Sequence, residues 1–270
     1  MKTHPKKKDQ GCKSRKLYGW HPVHEHLRVH SQSFREVYLL PSLQGTKIDQ
    51  LANQANVPVR YESAAFFDAF TQGGVHQGVA ARLVPFPYAS LQTVLEQAPD
   101  LLLVLDNIVD PRNLGALLRT AEGAGVGGVV LTSTRSATIS PLVEKAATGA
   151  TAYLRICRIE NLARSLTILH EQGYWVVGLV PNATLSLYQV PVSQKIVLVL
   201  GGEEKGIRTL TRRLCDCLVS IPMRGKIESL NVAVAGAIAL YEFVRRSQQK
   251  SEVFLPEREK GGKVDRLTCS

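Results

Sequence analysis

Three short segments hold most of the residues that could do chemistry in this 270-residue chain. The first runs from Asp106 to Ala121 and carries Asn113 and Arg119. The second, Leu200–Gly206, carries Gly201, Gly202, Glu203 and Glu204. The third, Ile221–Ala235, places the triplet Ser229-Leu230-Asn231 directly before an apolar stretch. Each reads as a strand end or loop feeding a helix, and in α/β proteins ligands sit outside the carboxyl ends of strands. Asn113 and Asn231 suit helix N-caps. A cap can still face a ligand, because helix N-termini aim free N–H groups outward. Arg119 shares a helix face with Gly115, Ala116, Glu122 and Gly123. A guanidinium among small residues needs an anion, so it pairs either with Glu122 or with a ligand's carboxylate or phosphate. Glu203 and Glu204 read either as a solvated turn or as a ligand loop. The paired glycines before them favour the loop, since they let a ligand approach the backbone.

Other patterns exclude more than they offer. Gly123–Gly128 satisfies G-x-G-x-x-G, but it follows a helix and precedes a strand. A dinucleotide site needs the opposite order, so this is a helix C-terminal turn. His21, His24 and His26 cluster without a second ligand group, and the five cysteines (Cys12, Cys157, Cys215, Cys217, Cys269) lack zinc spacing, so no metal is expected. Tyr188, Cys215 and Cys217 read as packing. Scattered thiols fit a reducing cytoplasm. Charged and hydrophobic contents of 21% and 44% are those of a soluble globular protein, and no apolar run approaches the ~20 residues that span a membrane. The net charge of +10 points to an anionic partner, nucleic acid first. Residues 1–16 hold seven Lys/Arg against one Asp, so much of that charge sits in a basic tail. It reads as a solubilising arm or a nucleic-acid contact. It has neither the apolar core of a secretory signal nor the composition of a transit peptide.

The elements that must position these residues fall into two α/β units. In residues 17–84, Glu36–Leu40 and Gly78–Val84 read as strands, Val57–Tyr61 as a short extended piece, and Thr46–Asn56 and Ala64–Phe70 as helices. Residues 85–98, opened by paired prolines, read as a linker with a short helix after Ser90. In residues 99–246, Leu101–Leu105, Gly128–Thr132, Tyr174–Val180, Lys195–Leu200 and Leu218–Pro222 are apolar strands. Helices over Asn113–Ala124, Pro141–Gly149 and Asn161–Gln172 separate most of them, and a long helix runs from Val232 to about Arg246. This alternation predicts a parallel sheet covered on both faces. Residues 247–270 read as a polar tail.

Taken together, the three segments resemble the three motifs of the SpoU (TrmH-like) branch of the SPOUT RNA methyltransferases. Motif one is Asp110-Pro111-x-Asn113-x-Gly115-x-x-x-Arg119, motif two is Leu200-Gly201-Gly202-Glu203-x-x-Gly206, and motif three joins Ile221-Pro222-Met223 to Ser229–Ala235. The first unit resembles an L30e/L7Ae-like RNA-binding domain. Tyr18-Gly19-x-His21-Pro22-Val23 and Gly74–Gly78 are similar to the subgroup that methylates a guanosine ribose of 23S rRNA. The resemblance implies a SPOUT-type sheet with a C-terminal trefoil knot, a homodimer with its site at the subunit interface, and S-adenosylmethionine as cofactor. The implied product is a 2′-O-methylated ribose. It implies catalytic roles for Asn113, Arg119, Glu203, Ser229 and Asn231, and cofactor contacts from Leu179, Leu200, Gly201, Ile221, Met223 and Leu230. Arg119 would be the base acting on the 2′-hydroxyl. A guanidinium holds its proton tightly, so a phosphate clamp with proton transfer elsewhere stays open. Arg224 and Lys226 are placed to reach RNA phosphates. Glu228 and Ala233 depart from the small residue and the Ser frequent at those positions. A tRNA ribose methyltransferase and a non-catalytic ribosome-assembly factor are the alternatives.

Overall fold

The computed structural model describes residues 14–190 and 195–252. Most of the basic tail and the end of the polar tail lie outside the described residues. The first unit is a four-stranded sheet in the order β1-β4-β2-β3, built from β1 (Arg15–Tyr18), β2 (Phe34–Leu39), β3 (Val59–Tyr61) and β4 (Val79–Leu83). Helices α1 (Trp20–His30), α2 (Lys47–Gln54) and α3 (Ala64–Thr71) cover it. Two elements differ from the sequence reading. β1 begins inside the stretch expected to be a tail, because Arg15 and Leu17 are buried against β4. α1 is absent from that reading, since its histidines and Pro22 mask a buried face of Val23, His26 and Leu27.

The second unit is a seven-stranded, all-parallel sheet in the order β7-β6-β5-β10-β8-β11-β9. Its central strands are β5 (Leu101–Asp106), β6 (Gly128–Thr132), β8 (Trp175–Leu179), β10 (Ile196–Gly201) and β11 (Cys217–Ser220). Two short edge strands, β7 (Ile156–Ile159) and β9 (Leu185–Ser186), were not expected. Successive side chains of a strand face opposite sides. Leu103 and Leu105 therefore enter one core with Leu198 and Leu200, while Leu102 and Val104 enter the other with Val197 and Val199. On the first face lie α5 (Pro111–Gly123), α6 (Pro141–Ala147) and α9 (Val232–Glu252). On the second lie α4 (Leu91–Leu95), α7 (Leu162–Glu171) and the unexpected α8 (Thr209–Arg213). α9 runs past Arg246 into the expected polar tail. Gly125, at φ +69, sits in the turn after α5, so the Gly123–Gly128 run is a helix exit followed by β6. No helix among the described residues is long and apolar enough to cross a membrane.

The stretch read as a linker is packed. Phe86 and Tyr88 lie against the first core, and the Tyr88 hydroxyl accepts from Ile139 N–H at 3.0 Å. The two units also bond directly. Gln77 Oε1 accepts from Trp20 N–H at the start of α1 (3.0 Å) and from Lys145 Nζ on α6 (3.1 Å), and His30 Nε2 lies 2.8 Å from the Ala152 carbonyl.

Candidate active site

Strand order places the site. The chain steps outward through β5, β6 and β7, then returns to lay β8 beyond the position that β10 fills. Such a reversal leaves a crevice at the carboxyl ends of the strands on either side. A cavity of about 550 Å³ opens there, past the ends of β8, β10 and β11. All six residues expected at the cofactor line it: Leu179, Leu200, Gly201, Ile221, Met223 and Leu230. Glu203, Ser229 and Asn231 line it too, with Glu204, Lys205, Arg212 and Glu228 adding charge. Arg224 and Lys226 are exposed beside it without lining it.

At the mouth, three of the expected catalytic residues meet. Asn113 Nδ2 donates to Glu203 Oε1 at 2.6 Å, and Asn231 Nδ2 donates to Asn113 Oδ1 at 3.1 Å. Asn231 is also the N-cap of α9, its Oδ1 accepting from Ala233 N–H (2.9 Å) and Val234 N–H (3.4 Å). Asn113 is not a cap. Asp110 takes that place, accepting from Arg112 N–H at 2.7 Å, and Pro111 fills the first helical position. That leaves the Asn113 side chain free to bridge. The N-termini of α5 and α9 thus converge, and their partial positive charge favours the Glu203 carboxylate between them.

The glycine pair lines the cavity and has a second reason besides the one the sequence suggested. A Cβ on Gly201 would lie 2.0 Å from the Gly206 carbonyl carbon, and one on Gly202 would lie 2.2 Å from the Asn107 oxygen. Neighbouring backbone makes side chains impossible there. Asp106, unmarked in the sequence, anchors the same loop. Fully buried, it accepts from Arg208 N–H (3.3 Å) and Thr211 Oγ1 (3.0 Å) and pairs with Arg208 Nη2 (2.8 Å).

Arg119 stands apart. It lies six positions after Asn113 on the helix, about 9 Å along the axis and about 120° around it. Its Nη1 donates to Thr148 Oγ1 at 3.3 Å, and no ion pair joins it to Glu122 among the described residues. It lines a second cavity of about 260 Å³ at the junction of the two units. Among the described residues no group of three or more His, Cys, Asp or Glu is placed to hold a metal ion.

Comparison with known proteins decides the family. The model of the SpoU rRNA methylase family matches residues 100–241, and a model for RNA 2′-O ribose methyltransferase substrate binding matches residues 16–89. The chain belongs to the SpoU rRNA methylase family. This family member is 40% identical to the 23S rRNA (guanosine-2′-O-)-methyltransferase RlmB of Pseudomonas putida, over 87% of the chain and 98% of the relative. Its fold matches the AdoMet-bound rRNA methyltransferase of Sinorhizobium meliloti (TM-score 0.75, 23% identity, 86% of this chain and 87% of that one). It also matches the SpoU methyltransferase AviRb of Streptomyces viridochromogenes in complex with AdoMet (TM-score 0.72, 20% identity, 87% and 91%). The α/β architecture with its parallel sheet is the SPOUT methyltransferase fold.

Proposed function

We propose that this SpoU family member transfers the methyl group of S-adenosylmethionine to the ribose 2′-hydroxyl of a guanosine in 23S rRNA, in the cytoplasm. The observation that carries the reading is the Asn113–Glu203–Asn231 network at the mouth of the large cavity. The cavity's residues fit the cofactor. Its volume lies within the ~300–1,000 Å³ of ligand pockets. Leu179, Leu200, Ile221 and Leu230 offer apolar walls for a flat heterocycle, and Glu203, Glu204 and Glu228 outnumber Lys205 and Arg212, an excess of one negative charge that suits a cation. When bound, the cofactor supplies an electrophilic methyl carried on a positively charged sulfur.

The protein's residues then have two tasks, to hold the reactants in line and to handle one proton. Asn113, held by Glu203 and Asn231, keeps a fixed hydrogen-bonding edge at the mouth, and Ser229 adds a hydroxyl beside it. Arg119 would act on the 2′-hydroxyl as base or on the adjoining phosphate as clamp. It does not reach the cavity of its own chain, so it would serve the cavity of a second copy. The surface supports such a homodimer. On α9, Val234 and Tyr241 are 49% and 52% exposed, with Ala237 and Ile238 between them, an apolar stripe at helical spacing. A trefoil knot is supported by the path of the chain. β11 lies outside β8 in the sheet, yet α9 packs back on α5 and β10.

The test is methyl transfer from labelled S-adenosylmethionine to an unmodified 23S rRNA transcript, with cofactor binding followed by calorimetry. Arg119→Ala should bind cofactor normally and lose transfer by ~10²–10⁴-fold, the range for a positioned acid–base group. Co-expressed with Glu203→Ala, it should regain roughly a quarter of the wild-type rate, since about half of all dimers are mixed and each mixed dimer holds one complete site of two. Near-normal turnover by Arg119→Ala excludes a catalytic arginine, and absence of cofactor binding by the wild type favours an assembly factor.

A further inference from the structure

The second cavity has no role in the mechanism beyond housing Arg119. It is lined by His21 and Glu25 from α1, by Arg119 and Glu122 from α5, and by the segment Ala147–Ala150 together with Tyr153. Both units are needed to form it. Gly149, at φ +96, allows the close approach, because a Cβ there would lie 2.9 Å from Glu25 Cβ and 3.3 Å from the His21 carbonyl oxygen.

Its side chains divide by what they already hold. Glu25 is committed. Its Oε1 faces His24 Nδ1 at 2.7 Å, and its Oε2 accepts from Arg28 Nη1 at 3.1 Å and from the Tyr153 hydroxyl. Those bonds fix the Tyr153 ring, which stays 44% exposed. Glu122 is also exposed, and among the described residues no hydrogen bond or ion pair engages its carboxylate. The cavity therefore combines a pre-oriented aromatic ring, an imidazole, a guanidinium held by Thr148 and one unspent carboxylate.

We propose that this cavity receives the base of the target nucleotide, and that Glu122 selects guanine. The inference rests on the methyl-transfer reading above and names the specificity determinant of that same reaction. Flat π faces such as Tyr153 and His21 stack on an unpaired base whatever its identity. Identity must come from an edge. An ionised carboxylate only accepts hydrogen bonds, through two oxygens. Guanine alone presents two adjacent donors, N1–H and the 2-amino group, on its Watson–Crick edge. Adenine, cytosine and uracil each set an acceptor beside a donor there, and that acceptor would face the carboxylate unpaired. At about 260 Å³ the cavity is under half the size of the other, a volume for one base rather than a cofactor. Arg119 beside it would hold the phosphate or ribose of the same nucleotide, which couples recognition to chemistry.

The experiment begins by mapping the methylated nucleotide on an unmodified 23S rRNA transcript by mass spectrometry of nuclease digests. A synthetic hairpin carrying that site as guanosine or inosine, which lacks the 2-amino group, is then assayed with the full-length protein. A guanosine site, with kcat/KM roughly 10- to 100-fold lower for inosine, is the expected result, from what a bidentate base contact is worth. Glu122→Ala should erase that difference while Tyr153→Ala lowers both substrates alike. A mapped nucleotide other than guanosine overturns the proposal. So does equal use of inosine by the wild type, or undiminished discrimination by Glu122→Ala. In each of these outcomes methyl transfer itself persists, so the underlying function stands. No transfer to any RNA by the wild type removes both.

Discussion

Two polar networks in this chain each include a single glutamate and sit in opposite environments. At the cavity mouth, Asn113, Glu203 and Asn231 bond at 2.6 and 3.1 Å while remaining exposed or half-buried. At the junction of the two units, Arg15 Nη1 lies 3.0 Å from Glu144 Oε1, with side-chain exposures of 7% and 0%, and His26 Nε2 lies 3.6 Å from the same oxygen. Burial pushes the Glu144 carboxyl up to about 7 against the pull of Arg15. Burial, then Arg15, pushes His26 down to about 4. Water at the mouth lets its network rearrange around a ligand at little cost. The junction network is shut away from bulk solvent, so each member depends on the others. The contrast separates a site that can act from a clamp that can only hold.

The largest effect should come from breaking the clamp. Glu144→Gln at pH 8, where the carboxylate of the parent is charged, strands the Arg15 guanidinium in the junction. Removing one partner of a buried ion pair typically costs ~3–5 kcal/mol, read as a fall in the urea midpoint. Replacing both partners, Arg15→Met with Glu144→Leu, should recover most of the loss, because no charge is then left buried. The matching change at the mouth, Glu203→Ala, should leave the midpoint unchanged and reduce methyl transfer. If Glu144→Gln were as mild as Glu203→Ala, the distinction between clamp and site would fail.

Asn231 is the point where the two kinds of role overlap. It caps α9 and holds Asn113, so Asn231→Ala should cost about 1 kcal/mol of stability as a lost N-cap and also reduce turnover. Asn231→Asp keeps the cap acceptor and loses the donor to Asn113. Near-wild-type stability with reduced turnover in that variant assigns the catalytic loss to the bridge rather than to the helix.

How far each network was legible follows from where its members lie. The mouth residues come from glycine-marked loops at strand ends, next to apolar runs such as Leu101–Leu105 that are legible as buried strands. Short motifs therefore bracket them, and the resemblance adds roles. Local pattern still misled at Asn113 and gave only part of the reason at the glycines. Asn113 looked like a cap because Asp110 and Pro111 take the earlier positions only once α5 starts at Pro111. Gly201 and Gly202 looked like room for a ligand; both do line the cavity, but what forbids a side chain is backbone, of Gly206 and Ile207 at the first and of Asn107 at the second. The clamp left no local trace. Arg15 sits in a lysine-rich tail, His26 in a polar helix and Glu144 in an ordinary helical turn. Their partnership spans up to 129 residues and exists only once the units dock. Arg119 was legible as a residue in need of an anion, yet its separation from Asn113 around α5 emerges only from the helix itself.

The smallest effect is a pH dependence in which two members of the clamp oppose each other. The folded-state pKa of His26 is lowered from 6.5 to about 4, so its stabilising contribution is full above the unfolded value and is lost as pH falls through about 4. That of Glu144 is raised from 4.5 to about 7, so its contribution is full below 4.5 and is lost as pH rises through about 7. Between about pH 4.5 and 6.5 the two trends have opposite sign, and wild-type stability should vary little across that window. His26→Gln removes one of them. Its unfolding free energy should then fall steadily as pH rises from 4.5 to 7, measured by urea titration at half-unit steps. A His26→Gln curve as flat as the wild type would mean that Glu144 does not titrate in the junction. The clamp would then be a fixed ion pair, and the contrast with the mouth would rest on burial alone.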